Sequence, residues 1–441
     1  MYVVLKIIKP RIFGSRQKIF LLFFLLSLII NQSKANELFN KKLYDLVLET
    51  PEVIEAKENL ALSDNEINRI ASQTKPKINF STSGNYPFST NIAPQNNRIS
   101  NIDETYIDGK ISLDTQIYDF GTQNYLIEAE KLKKSAQVIN LKILEQEIYF
   151  DLIKTGFEIL ALSDKIDLLK KHIIKHNEDR AVAKERFIKG TGTNLEVKEA
   201  ELAALNLESE YSKLNSNLAE REKYFETQFG EDFENYSKDF LNLKKLNPKA
   251  VISYEMLETL NIKKLKYELQ SLQAEVLSIE KSRLPVVSSS LSLNMYNMDN
   301  GVGNDYSVTG GINMSVPLYD SGTSKANEKA ILIKIKIIRS QIVKQKKKWE
   351  KDWNNNTSQI LQLRKEIVLL SQKKKETLNK SEQLASLSKA LQSNFIEVMK
   401  TKVDLRLIER EIMNLKEELL QSYIENLFLR ERLLTGIIND K

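Results

Sequence analysis

The sequence predicts a mainly α-helical chain with four β-strands and two long coiled-coil helical hairpins, built as an internal two-fold repeat. Three observations carry this. First, one segment occurs twice, 201 residues apart: residues 111–123 (Ile-Ser-Leu-Asp-Thr-Gln-Ile-Tyr-Asp-Phe-Gly-Thr-Gln) and 312–324 (Ile-Asn-Met-Ser-Val-Pro-Leu-Tyr-Asp-Ser-Gly-Thr-Ser). Second, each copy of Tyr-Asp-x-Gly-Thr ends an alternating strand and opens a long stretch of apolar residues spaced three and four apart. Third, glycine and proline are scarce, at 14 and 8, which suits long uninterrupted helices.

Residues 1–35 read as a secretory signal peptide. Lys6, Lys9, Arg11, Arg16 and Lys18 precede an apolar run from Ile19 to Ile30, and Ser33-Lys34-Ala35 offers a small-residue cleavage site. The run is too short to span a bilayer comfortably as a helix, which disfavours an uncleaved anchor. The mature chain is expected to start near Asn36. Residues 1–35 hold six Lys/Arg and no acid, so the remainder carries 59 basic residues (65 less six) and 59 acidic ones. The basic balance therefore belongs to the targeting segment and gives no reason to expect a nucleic-acid partner. With no cysteine, the chain has no disulfide, thiol chemistry or Cys-based zinc site.

The first repeat is read as 36–227 and the second as 254–441, with 228–253 a polar connector. In the first, a helical segment over 42–74 passes Thr50-Pro51 and ends at Lys75-Pro76. Strands over 77–88 and 104–119 follow. A helix from about 122 to 188 then has one interior glycine, Gly156, and no proline. At 1.5 Å per residue it would be roughly 100 Å long. Leu141, Leu144, Ile148, Leu152, Thr155, Ile159, Leu162, Ile166, Leu169 and Ile173 form its seam. The chain turns near 190 and returns over about 194–227. The second repeat has a helix over 255–283, strands over 286–296 and 305–319, a helix over 323–387, a turn near 391 and a return over 395–434.

The strands alternate with a period of two, which means one apolar and one polar face. Ile78, Phe80, Tyr86 and Phe88 oppose Asn79, Ser81, Ser83 and Asn85; Val308, Ile312 and Met314 oppose Ser307, Thr309 and Asn313. Such strands fit either a soluble sandwich or a transmembrane barrel with lipid outside and water inside. No partner sheet is visible, and the polar face carries Asp108, Lys110 and Asp114, which suits a wet lumen. The loops over 89–103 and 297–305 are polar. Four strands cannot close a membrane barrel, since an open edge in lipid leaves backbone groups unpaired. If the strands are transmembrane, at least two chains must pool them.

Other features have plain readings. His172 and His176, the only histidines, sit four apart with Glu178 and Asp179 following. A metal site is conceivable, but no third ligand stands at a fixed spacing. An exposed, solvated helix face is expected. Lys346-Lys347-Lys348 and Lys373-Lys374-Lys375 read as solvated outer faces, with Trp349 on the seam. Gly190 and Gly192 lack the Lys-Ser/Thr of a phosphate-binding loop and read as a hairpin turn. Gly121 and Gly322 supply permissive backbone where a strand becomes a helix. No constellation is arranged for catalysis and no cofactor is expected.

With the signal peptide and the proline-led strand pairs, the two copies of Tyr-Asp-x-Gly, at Tyr118, Asp119 and Gly121 and at Tyr319, Asp320 and Gly322, carry a family likeness. So does Arg186-Phe187-Ile188-Lys189-Gly190-Thr191-Gly192-Thr193-Asn194-Leu195-Glu196-Val197 with its Ala200-Glu201. In this ordered set the mature chain resembles the TolC family of outer-membrane efflux and secretion channels. The resemblance implies a homotrimeric α/β-barrel in the outer membrane of a Gram-negative bacterium, reaching into the periplasm. It implies a periplasmic adaptor docking at the turn Gly190, Thr191, Gly192 and Thr193, and an inner-membrane ABC or proton-driven transporter. It also implies a periplasmic aperture lined by acidic residues. Glu397 matches the first acid, and Lys400 stands where a second acid would be. The family's latching tyrosine and arginine fall on Ser388 and Ser393, and Glu196 matches their acidic partner. The alternative class is a soluble periplasmic coiled-coil scaffold or chaperone.

Overall fold

The computed structural model describes residues 41–85, 106–245, 258–296, 305–391 and 395–431. Residues 1–40, Tyr86, Phe88, the two strand loops, all of 246–257, and 392–394 at the expected turn near 391, Ser393 among them, lie outside them, as does the side chain of Ser388. In chain order the elements are α1 (41–48), α2 (Pro51–Ala71), β1 (Lys77–Asn85), β2 (Tyr106–Tyr118), α3 (Thr122–Ile188) and α4 (Asn194–Phe229). Then come α5 (Ser237–Lys245), α6 (Leu260–Lys281), β3 (Val286–Met295), β4 (Tyr306–Ser315), α7 (Thr323–Leu391) and α8 (Phe395–Leu429). They divide into two compact units. One takes 56–141 and 260–346; the other takes the described parts of 1–55, 142–259 and 347–441.

The helix expected over 42–74 is broken. Pro51 has no N–H and its ring would clash with the carbonyl four residues back, that of Val47. Val47 instead accepts from the Thr50 hydroxyl at 2.8 Å and the Thr50 N–H at 3.3 Å. Pro51 then serves as the first residue of α2, the helical position it suits.

In the first unit the four strands form one antiparallel sheet in the order β1-β2-β3-β4. The fourth strand ends at Ser315, short of the expected 319. Pro317 cannot donate to a ladder, and β2 shows a register shift between Gln116 and Tyr118 at the equivalent place in the other copy. Beside the sheet, small residues let α6 lie close to α3. Ser271 donates to the Ala129 carbonyl at 2.9 Å, and Ser278 to that of Thr122 at 3.0 Å. Lys133 bridges Glu130 and Glu275, both at 2.7 Å.

In the second unit the expected seam of α3 is buried from Ile148 through Leu169 apart from the half-buried Leu162, with α4 and α8 packed beside this stretch. The polar connector is a correction. Its first part folds into a 3-10 turn, Phe233–Tyr236, and α5, and both pack inward. Phe225 meets Phe229 at 5.1 Å, Phe233 at 5.4 Å and Phe240 at 6.2 Å between ring centres. Phe240 lies against Phe157 of α3. The spacing of 225, 229, 233, 236 and 240 is itself an aromatic seam. On the other hairpin, Asn356 donates to the Ser422 carbonyl at 2.9 Å and accepts from Asn426 at 3.1 Å. Trp349 stacks on Trp353 and donates to the Leu429 carbonyl at 2.8 Å. These buried polar bonds hold α7 and α8 in one register, because any slip leaves them unpaired.

Candidate functional site

The sheet sorts its side chains by face, since directly paired residues share a face. One row runs Phe80, Ile111, Leu293, Val308; the next runs Ile78, Leu113, Leu291, Gly310. The opposite face carries Asn79, Ser112, Ser292, Thr309 and then Ser81, Lys110, Asn294, Ser307. On the polar face Ser292 and Thr309 share a hydrogen bond of 2.7 Å, and Asn294 donates to Ser307 at 3.2 Å. The apolar face is uncovered: Ile78 is 74% exposed, Phe80 64%, Ile312 74% and Met314 70%.

The two strand-to-helix turns have one geometry. Asp119 accepts from the backbone N–H of Gly121 at 3.0 Å and of Gln123 at 2.8 Å; Asp320 accepts from Gly322 at 3.0 Å and Ser324 at 2.8 Å. The Thr122 hydroxyl donates to the Asp119 carbonyl and the Thr323 hydroxyl to that of Asp320. Each aspartate thus caps a very long helix. Gly121 and Gly322 sit at φ of 90° and 84°, which glycine adopts freely, after Phe120 and Ser321 at 56° and 55°. Tyr118 and Tyr319 are exposed beside them. The capping role of the aspartates was legible as a helix-start signal that the strand pattern overshadowed. Hydrogen bonds from the Ser324 side chain and backbone hold the Asp320 carboxyl below its ordinary value. Its cap contribution is present above the unfolded pKa and is lost as pH falls through the lower folded one. Asp119→Ala is expected to cost about 1 kcal/mol, read as roughly fivefold faster hydrogen exchange at Gly121 and Gln123. Unchanged exchange would show that the cap is not made in solution.

At the hairpin tip, Thr191 and Gly192 donate backbone N–H groups to the Arg186 carbonyl at 2.9 and 3.0 Å, and Gly190 turns at φ 70°. Thr193 caps α4 by accepting from the Glu196 N–H at 3.3 Å. Arg186 joins three segments. It reaches Glu196 at 3.5 Å, the Thr191 carbonyl at 3.1 Å, and lies over the Phe395 ring at 5.1 Å. Below it, Ala183, Val197, Ala200 and Met399 form a small core. Val398 and Met399 are buried, so Glu397 and Lys400 fall on the exposed side of α8. Glu196 is thus tied within its own hairpin, while Glu397 and Lys400 face outward together. Arg186 was part of the sequence motif, but its bridging role needed the fold.

The expectation of solvated histidines fails. His172 is 9% exposed and His176 1%, because this stretch of α3 is covered by α4 and α8. Burial lowers the His172 pKa, which Glu409 partly offsets. Lys346, Lys347 and Lys348 are exposed, and Lys374 pairs with Glu409 at 2.9 Å. Among the described residues no three His, Cys, Asp or Glu side chains gather to hold a metal.

Comparison of the sequence with family models and with curated proteins gives no match. Solved structures do match. CusC, a protein studied for transmembrane channel formation, aligns with a TM-score of 0.76 at 12% identity, over 88% of this chain and 91% of its own. The Campylobacter jejuni CmeC outer membrane channel aligns at 0.75 and 15%, over 89% and 85%. The outer membrane protein VceC of Vibrio cholerae aligns at 0.74 and 12%, over 90% and 95%. Over about nine-tenths of its length the chain has the fold of these channel proteins.

Proposed function

We propose that this chain is an outer-membrane channel protein, the exit duct of a tripartite efflux or type I secretion system. It acts in a Gram-negative outer membrane and reaches into the periplasm. The observation that carries this reading is the sheet with one bare apolar face, one hydrogen-bonded polar face, and outer strands β1 and β4 that each pair on one side. Lipid satisfies the apolar face and water the polar one, but β1 and β4 need partners. Copies of the same chain supply them, and the family resemblance makes the number three. The duct conducts passively and performs no chemistry. An inner-membrane transporter supplies the energy, and an adaptor docks at Gly190–Thr193. The detergent-extracted mature chain is expected to have the mass of three chains and a discrete ion conductance. A water-soluble monomer without conductance would overturn the reading in favour of a periplasmic scaffold.

Glu397 and Lys400 would face one another's copies at the periplasmic aperture. A ring with one acid and one base per chain has little net charge, so weak cation preference follows. Lys400→Asp replaces that ring with two acids per chain and is expected to raise cation selectivity several-fold in planar bilayers. Equal selectivity in the two proteins would remove Lys400 from the conduction path.

A further inference from the structure

A cavity of about 700 Å³ opens between α3, α4 and α8 in the hairpin unit. Its volume lies in the range of small-molecule sites. Leu168, Leu207 and Met413 give it an apolar wall, and its charged lining is mostly basic. Two of those charges are neutralised: Lys165 by Glu417 at 2.5 Å and Arg410 by Glu210 at 2.7 Å. Two are not. Lys213 has no carboxylate partner among the described residues, and Arg406 spends only its Nε, on the Lys402 carbonyl at 3.1 Å. Arg406 Nη2 is buried without a hydrogen-bond partner, as are His176 Nδ1 and His172 Nε2. Glu409 lies 3.3 Å from that His172 nitrogen but out of hydrogen-bond geometry, and it already holds Lys374.

A buried donor atom left without a hydrogen-bond partner is costly, and more so when it belongs to a charged group such as the half-buried Arg406 guanidinium. Burial pulls the Arg406 guanidinium down to about 10, which Glu409 offsets only in part. We propose that this cavity binds an amphipathic organic anion, with a carboxylate or phosphate head at Arg406 and Lys213 and an aromatic or aliphatic body against Leu168, Leu207 and Met413. His176 lines the same space and can turn its free ring nitrogen to the head as a donor.

The test uses the full mature protein in lipid nanodiscs, with empty nanodiscs as the partition blank, and equilibrium dialysis as the readout. The probes are 2-naphthoate, uncharged 2-naphthylmethanol, and inorganic phosphate. Saturable naphthoate binding is expected, with the two other probes at least about tenfold weaker and Arg406→Gln weakening naphthoate by about tenfold. Lys213→Gln, at an exposed position, should also weaken it, and serves if Arg406→Gln fails to fold. No saturable naphthoate binding would overturn the proposal. So would unchanged affinity in the folded variants, or phosphate binding as tightly as naphthoate, since the apolar wall would then contribute nothing.

Discussion

Gly156→Ala is expected to destabilise the hairpin unit, although alanine is the better helix former. In an open helix the change would stabilise by about 1 kcal/mol. Here a Cβ at position 156 would stand 2.2 Å from Phe240 Cε1 and 2.4 Å from its Cζ. The ring cannot step aside. Phe240 is fully buried and is held by Phe157 at 6.1 Å, Phe225 at 6.2 Å and Phe233 at 5.4 Å. Overpacking of this kind costs about 1–3 kcal/mol, so the clash outweighs the propensity gain. Phe240→Ala, which empties the same place, should cost about 3–5 kcal/mol. The two changes are coupled. Alanine at 156 relieves part of the void left by Phe240→Ala, so the double variant should be more stable than additivity allows. Native-state hydrogen exchange of the α5 amides measures this directly. Strict additivity would mean that α5 does not sit on α3 in solution.

That glycine shows where the sequence was legible and where it was not. Long helices, strand alternation and the duplicated turn follow from local periods and caps, so Thr122–Ile188 and the sheet faces matched closely. Gly156 was visible as a lone interior glycine, but its reason is Phe240, 84 residues away, and no local period reports that. The connector was misread because charge and asparagine content hid an aromatic at every third or fourth position. The histidines were misread for a related cause. A helix covered on more than one side buries residues off its main seam, and only the neighbours α4 and α8 create that second cover. At the tip, Gly190, Thr191, Gly192 and Thr193 announced a turn, yet the Arg186 bridge to Phe395 joins residues 209 apart.

Placing arginine on the apolar face of the sheet should abolish membrane assembly, while the same residue one position away should be tolerated. Phe80→Arg and Ile312→Arg each put a charge where lipid is expected, at about 2–4 kcal/mol near the bilayer midplane. In the proposed homotrimer that cost would fall on every copy. Asn79→Arg and Asn313→Arg project to the polar face and should leave the proposed conducting oligomer in place. Loss of assembly alone would not separate lipid from a dry protein core, since both reject arginine. The absence of cysteine resolves this, because single cysteines can carry a nitroxide with no background label. A lipid-facing label at Phe80 or Ile312 is reached by oxygen and shielded from a water-soluble nickel chelate. A core label is shielded from both, and a label at Asn79 or Asn313 is open to the chelate. Alternation between the oxygen and nickel patterns with a period of two along β4 is the expected result, and shielding from both reagents at Phe80 and Ile312 would move the sheet out of the membrane. The measurement reads the solvent of each face one residue at a time. It therefore tests the step on which the pooled barrel, the oligomer and the duct all rest.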